Sequence, residues 1–140
     1  MKYMLIMRGT DETNAAYENV DFEQIMESMG RYTEDMRRAG VLLATEGLDE
    51  DVNSTVVVDF SSQPPLVTDG PYGETKELFG GFWMVDVASK EEAVEWAKRA
   101  PMDGPGSKLE VRRVPSIDEF PQDNPWVQQE REWRESTGQL

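Results

Sequence analysis

Hydrophobic and polar positions alternate between two periods along this chain. Residues 2–8, Lys-Tyr-Met-Leu-Ile-Met-Arg, form a short apolar run that suits a buried strand. Residues 9–20 are polar and read as a loop. From Asp21 the period becomes helical, with Phe22, Ile25, Met26, Met29, Thr33 and Met36 on one face. Asp21 caps this helix, with Gln24 three residues on, close to a capping box. Arg37 and Arg38 suit the negative end of its dipole, and Gly40 suits the position after it. A second strand runs from Val41 to Leu48, and a third, rich in β-branched residues, from Thr55 to Phe60. After a turn at 61–64, Pro65 to Thr68 returns as a short hairpin partner. Gly81 to Ala88 forms another strand. Ser89 with Glu92 is a capping box that opens a second helix, whose inner face is Ala93, Trp96, Ala97 and Ala100 before Pro101 stops it. Lys108 to Val114 is the last strand of the series.

The order is β-α-β, a hairpin region, then β-α-β. That predicts an α+β fold of the ferredoxin-like, split βαβ kind: an antiparallel sheet with both helices on one face. Tyr3–Met7, Val56–Val58 and Phe82–Val85 are apolar at consecutive positions, so both faces of such a sheet carry apolar side chains. The simplest cover for the second face is the same face of another copy, giving a homodimer. The chain divides into a body, 1–115, and an extension, 116–140, broken by Pro115, Pro121 and Pro125. Asn124 and Pro125 open a short helix there (about 124–137), whose Trp126 and Trp133 share a face and should dock on the body or on the partner subunit.

Charge and composition narrow the function classes. The 28 acidic and 14 basic residues give a net charge of −14, which repels phosphate backbones and argues against direct nucleic-acid binding. No run approaches a membrane span, and with no cysteine a soluble cytoplasmic protein is the expectation. Histidine is absent as well, so any proton transfer must use Asp, Glu, Tyr or Lys. Any metal would need oxygen ligands, and the residues call for no cofactor.

Chemistry concentrates in Asp69-Gly70-Pro71-Tyr72-Gly73-Glu74-Thr75-Lys76-Glu77. Two glycines and a proline specify a turn here, and the same residues carry three carboxylates, an ammonium, a hydroxyl and a phenol. Asp69 is a candidate general base; it equally suits an Asx turn holding the backbone that follows. Lys76 is a candidate for stabilising negative charge, or for an ion pair with Glu74 or Glu77. Tyr72 and Glu74 are candidate substrate contacts, as is Arg8 at the end of the first strand, where it could clamp an acidic ligand.

The chain resembles the YCII-related superfamily, in the branch named for an Asp-Gly-Pro-Phe (DGPF) signature. The resemblance is carried by Met1–Ile6, Thr33–Leu42, Glu46-Gly47-Leu48, Pro65–Pro71, Glu74-Thr75-Lys76-Glu77, Gly80-Gly81-Phe82 and Glu110-Val111-Arg112. Tyr72 stands where the signature has Phe. The resemblance implies a ferredoxin-like fold assembled as a dimeric α/β barrel, and for some relatives a regulatory link to alternative sigma factors. It also implies a His–Asp site that a chain without histidine cannot build. Two functions follow as expectations. One is a small-molecule-binding or regulatory homodimer of the YCII kind. The other is a histidine-free enzyme of the dimeric-barrel type, an isomerase or lyase acting by proton transfer on a small acidic or aromatic substrate.

Overall fold

The computed structural model describes residues 1–69 and 78–140. Its main sheet has four strands: β1 (Lys2–Gly9), β2 (Leu42–Gly47), β5 (Leu78–Asp86) and β6 (Lys108–Val114). They lie in the order β2-β5-β1-β6, and every pair is antiparallel. Neighbours in space are thus distant in sequence, which is the split βαβ arrangement that the order of elements predicts. Two long helices, α2 (Phe22–Arg38) and α3 (Lys90–Lys98), supply the crossovers.

Both helices pack on one face of this sheet. Tyr3 and Leu5 of β1 and Trp83 and Val85 of β5 meet Tyr32 and Met36 of α2 and Ala93 of α3 in the core. Leu5, Met36 and Val85 are fully buried, each contributing about 1.5–3 kcal/mol of transfer free energy. Trp83 joins the layers: its ring meets Tyr32 edge-on at 5.0 Å, and its indole N–H points at Thr33 Oγ1, 3.4 Å away. The Tyr32 hydroxyl donates to the Trp96 carbonyl at 2.8 Å, and Arg99 pairs with Asp35 at 3.0 Å, so polar contacts tie α2 to α3.

The first half of α2 departs from the expected face. Phe22 and Met26 are exposed, while Ile25 and Met29 are half-buried and burial deepens at Tyr32 and Met36. Asp21 caps the helix through the Glu23 N–H. At α3, Ser89 Oγ accepts from the Glu92 N–H, while the Glu92 carboxylate accepts from the Ala88 N–H.

Two further expectations are corrected. Residues 9–20 hold a helix, α1 (Asp11–Tyr17), where the polar sequence reads as a loop. Its capping box is built from two threonines, Thr10 and Thr13, each hydroxyl accepting from the other's N–H. Thr13 Oγ1 also donates to the Pro105 carbonyl at 2.6 Å, which docks the Asp103–Gly106 turn onto the helix. The second correction concerns Val56–Val58. β3 (Val56–Asp59) and β4 (Leu66–Asp69) form a two-stranded sheet of their own and do not join the main sheet.

The tail folds back along the body. A 3-10 turn at Ile117–Glu119 is clamped by Arg113, whose guanidinium donates to both Glu119 oxygens at 2.6 and 2.9 Å. A last helix, α4 (Pro125–Ser136), follows the Asn124 cap, and Arg131 pairs with Asp118 at 2.6 Å. Lys2 Nζ reaches the Gln139 carbonyl at 2.6 Å. Trp126 and Trp133 remain exposed, at 77% and 52%.

Candidate functional site

Because side chains alternate along a strand, Tyr3, Leu5, Trp83 and Val85 commit one face of the sheet to the helices. The opposite face then carries Met4, Ile6 and Arg8 from β1, and Phe82 and Met84 from β5. β6 adds Lys108, Glu110 and Arg112, which stand opposite Arg8, Ile6 and Met4 in turn. The centre of this face is therefore apolar, and its charges gather towards the Arg8 end and along β6.

At that end a register shift between Met7 and Arg8 places Arg8 opposite Phe79. The Phe79 and Phe82 rings lie 6.4 Å apart in a tilted pair. Arg8 Nη1 donates to Glu110 Oε2 at 3.4 Å, and Arg112 Nε lies 3.5 Å from the other Glu110 oxygen. Glu110 thus sits between two guanidiniums at long, half-exposed distances, contacts worth at most about 1 kcal/mol each. Among the described residues, Arg8 and Lys108 stand together at this sheet end beside Phe79, Arg112 lies further along β6 opposite Met4, and Glu46 of β2 adds a second carboxylate opposite Phe82.

The sequence candidates distribute unevenly around it. Arg8 lies at the centre of the group. Asp69 ends β4 on the separate hairpin, exposed and opposite Val56. Tyr72, Glu74 and Lys76 lie outside the described residues. β5 begins at Leu78, directly after that segment, and Leu78 pairs with Gly9 at this same end of the sheet. Glu110, Arg112 and Phe79 were not singled out as site residues from the sequence. Their signal was the two-residue spacing of Lys108, Glu110 and Arg112, which puts three charges on one strand face.

A concave feature lies at the opposite end of the sheet. A cavity of about 340 Å³ opens between Lys2, Asp86, Arg113, Ser116, Glu119 and Arg134. Its cations already have partners: Arg113 is held by Glu119, Arg134 by Glu130 at 2.7 Å, and Lys2 by the Gln139 carbonyl. Glu119 shows the strength of this clamp, since the Arg113 hydrogen bonds lower its pKa to about 2. Among the described residues, no group of three or more acidic side chains converges to hold a metal ion.

Residues 1–116 match the YCII-related domain. The chain belongs to the YCII-related family. Its YCII-related domain thus takes in the whole main sheet, the β3–β4 hairpin and the residues that connect β4 to β5. The chain is also similar to an uncharacterized protein of Rhizobium meliloti (strain 1021). The two are 26% identical over 113 residues, 80% of this chain and 90% of that protein.

Proposed function

We propose that this YCII-related chain is of the DGPF type and acts as a cytoplasmic homodimer that binds a small anionic molecule at the Arg8 end of its sheet. The binding serves recognition or regulation. The observation that carries this reading is the pairing of Arg8 with Lys108 on one side and Phe79 on the other, with the Phe79–Phe82 ring pair next to them. Guanidiniums accept carboxylates in a bidentate fork, and aromatic rings give a flat apolar wall for the rest of such a ligand. β5 starts at Leu78, opposite Gly9 beside this group, and Tyr72, Glu74 and Lys76 are proposed as further contacts from the sequence alone.

The dimer is supported by the apolar centre of the same face. Met4, Phe82 and Met84 are half-buried on the side of the sheet that α2 and α3 do not occupy. Packing that face against its copy removes it from water and makes the interface isologous. The alternative, proton transfer with Asp69 as base, needs a desolvated carboxylate, and Asp69 is exposed.

The test is a thermal-shift series with small aliphatic and aromatic carboxylates. A stabilising ligand should lose its shift in Arg8→Ala, with the unliganded melting temperature nearly unchanged. A shift that survives in Arg8→Ala places binding elsewhere. A large fall in the unliganded melting temperature makes Arg8 a structural residue.

A further inference from the structure

The chain holds two Asp-Gly-Pro sequences, at Asp69 and at Asp103. The second forms an exposed turn between α3 and β6, and its backbone is held on both sides. Before the Asp103–Gly104 peptide, the Asp103 N–H donates to the Tyr17 hydroxyl of α1 at 3.1 Å. After it, the Pro105 carbonyl accepts from Thr13 Oγ1 at 2.6 Å. Gly106 sits so close to the α1 cap that a Cβ there would lie 2.5 Å from Thr10 Oγ1. Between these anchors the Asp103 carboxylate bends back onto the chain, and its Oδ1 accepts from the Gly104 N–H at 2.7 Å. Among the described residues, no cation pairs with that carboxylate and no other acceptor takes that N–H. An oxygen so placed leaves its own carboxyl carbon about 3–3.5 Å from the same nitrogen, the separation of reacting atoms set for attack. Gly104, at φ +92°, brings no side chain to shield the nitrogen.

We infer that Asp103–Gly104 is a self-modifying site, where the fold favours closure to a succinimide and reopening to isoaspartate. The Gly104 nitrogen attacks Cγ of the carboxyl group in its acid form. The N–Cγ bond forms, the Cγ–OH bond breaks, and the hydroxyl leaves as water with the amide proton. Water then adds to the Asp103 main-chain carbonyl carbon and breaks its bond to the Gly104 nitrogen, which takes up a proton. One water leaves and one returns, so the mass is unchanged. The main chain now runs through Cβ and Cγ, and the former main-chain carbonyl is a free carboxylate. The backbone is longer by one carbon in a turn seated closely on α1, which loosens the docking through Tyr17 and Thr13. Ser107 alone separates this turn from β6.

Ageing the purified full chain in neutral buffer tests the site. Isoaspartate is located by peptide mapping of the digest. It is counted by methyl transfer from S-adenosylmethionine to the new carboxylate, using an isoaspartyl carboxyl methyltransferase. The folded chain should form isoaspartate at Asp103 at least as fast as the same chain held unfolded in guanidinium. Asp69 shares the local sequence and should age like Asp103 once the chain is unfolded. Slower ageing of Asp103 in the folded chain than in the unfolded one means that the turn protects this peptide, and overturns the proposal. Asp103→Glu, whose longer side chain closes the ring far less readily, should show no ageing at this position; ageing there as in the unaltered chain overturns the cyclisation. Amide exchange over Asp11–Tyr17 should be faster in the isoaspartyl fraction than in fresh chain, and unchanged in aged Asp103→Glu. Equal exchange in the isoaspartyl fraction overturns the loosening of α1.

Discussion

At Gly81 the sheet leaves no room for a side chain. A Cβ there would lie 2.7 Å from the Glu46 carbonyl oxygen and 3.1 Å from the Gly47 Cα, both backbone atoms of β2. Gly81→Ala therefore forces β2 from β5, at a cost of about 1–3 kcal/mol, read as a lower denaturant midpoint. Tyr32 makes a different demand. Burial pushes its phenol pKa from 10.0 to about 12, against the opposing pull of Arg99. The fold thus favours the protonated phenol. Its contribution is complete below pH 10 and is lost as pH rises through about 12. Spectrophotometric titration of Tyr32→Phe should lack a tyrosine step near pH 12. The variant should also lose about 1 kcal/mol at neutral pH with the hydrogen bond to Trp96.

Elements differ in what holds them, and so in what releases them. The tail is held by the buried Ile117 of its 3-10 turn and by half-exposed ion pairs, Arg113–Glu119 among them, while α4 buries no residue fully. Glu119 has its pKa lowered from 4.5 to about 2, so the clamp is complete above the unfolded value and fails as pH falls through about 2. Glu119→Gln should speed amide exchange across 116–140 and leave β1 and β5 protected, as read by hydrogen-exchange mass spectrometry. Legibility in the sequence followed the same division. β1, β5, β6, α2 and α3 were readable because each buries a periodic apolar set, and α4 because Asn124-Pro125 is a strong start. α1 was not, because Asp11–Tyr17 carries no apolar stripe and its cap uses Thr13 in place of Glu or Gln. The separation of β3 from the main sheet was hidden too: a β-branched run reads the same on an arm as in a core. Of the site, Arg8 was legible from its place at a strand end. Glu110 and Phe79 needed the register of β1 against both neighbours, which no local pattern states.

At the scale of the whole molecule, the YCII-related body places its two kinds of surface apart. The helix-covered side is a continuous core from Tyr3 to Ala93, and the other side is apolar at the centre with Arg8 and Lys108 at one end. Met84→Glu should therefore turn a dimer into a folded monomer, seen as a halved mass in light scattering with unchanged far-ultraviolet dichroism. Salt should weaken the proposed ligand binding at the Arg8 end more than the proposed dimer, because the former depends on exposed charges and the dimer face is apolar at its centre.

The strand order also has a consequence for biosynthesis. β1 lies between β5 and β6 and is made before both, so it is paired only when Leu78–Asp86 and then Lys108–Val114 have been made. Until then Tyr3–Met7 is an apolar β segment without neighbours, the sort of stretch that nascent chains aggregate through. The helices α1 and α2 can form locally during that interval, but the sheet cannot close before most of the YCII-related domain has been translated. Its yield in a cell should accordingly depend on how long a chaperone shelters the first ten residues.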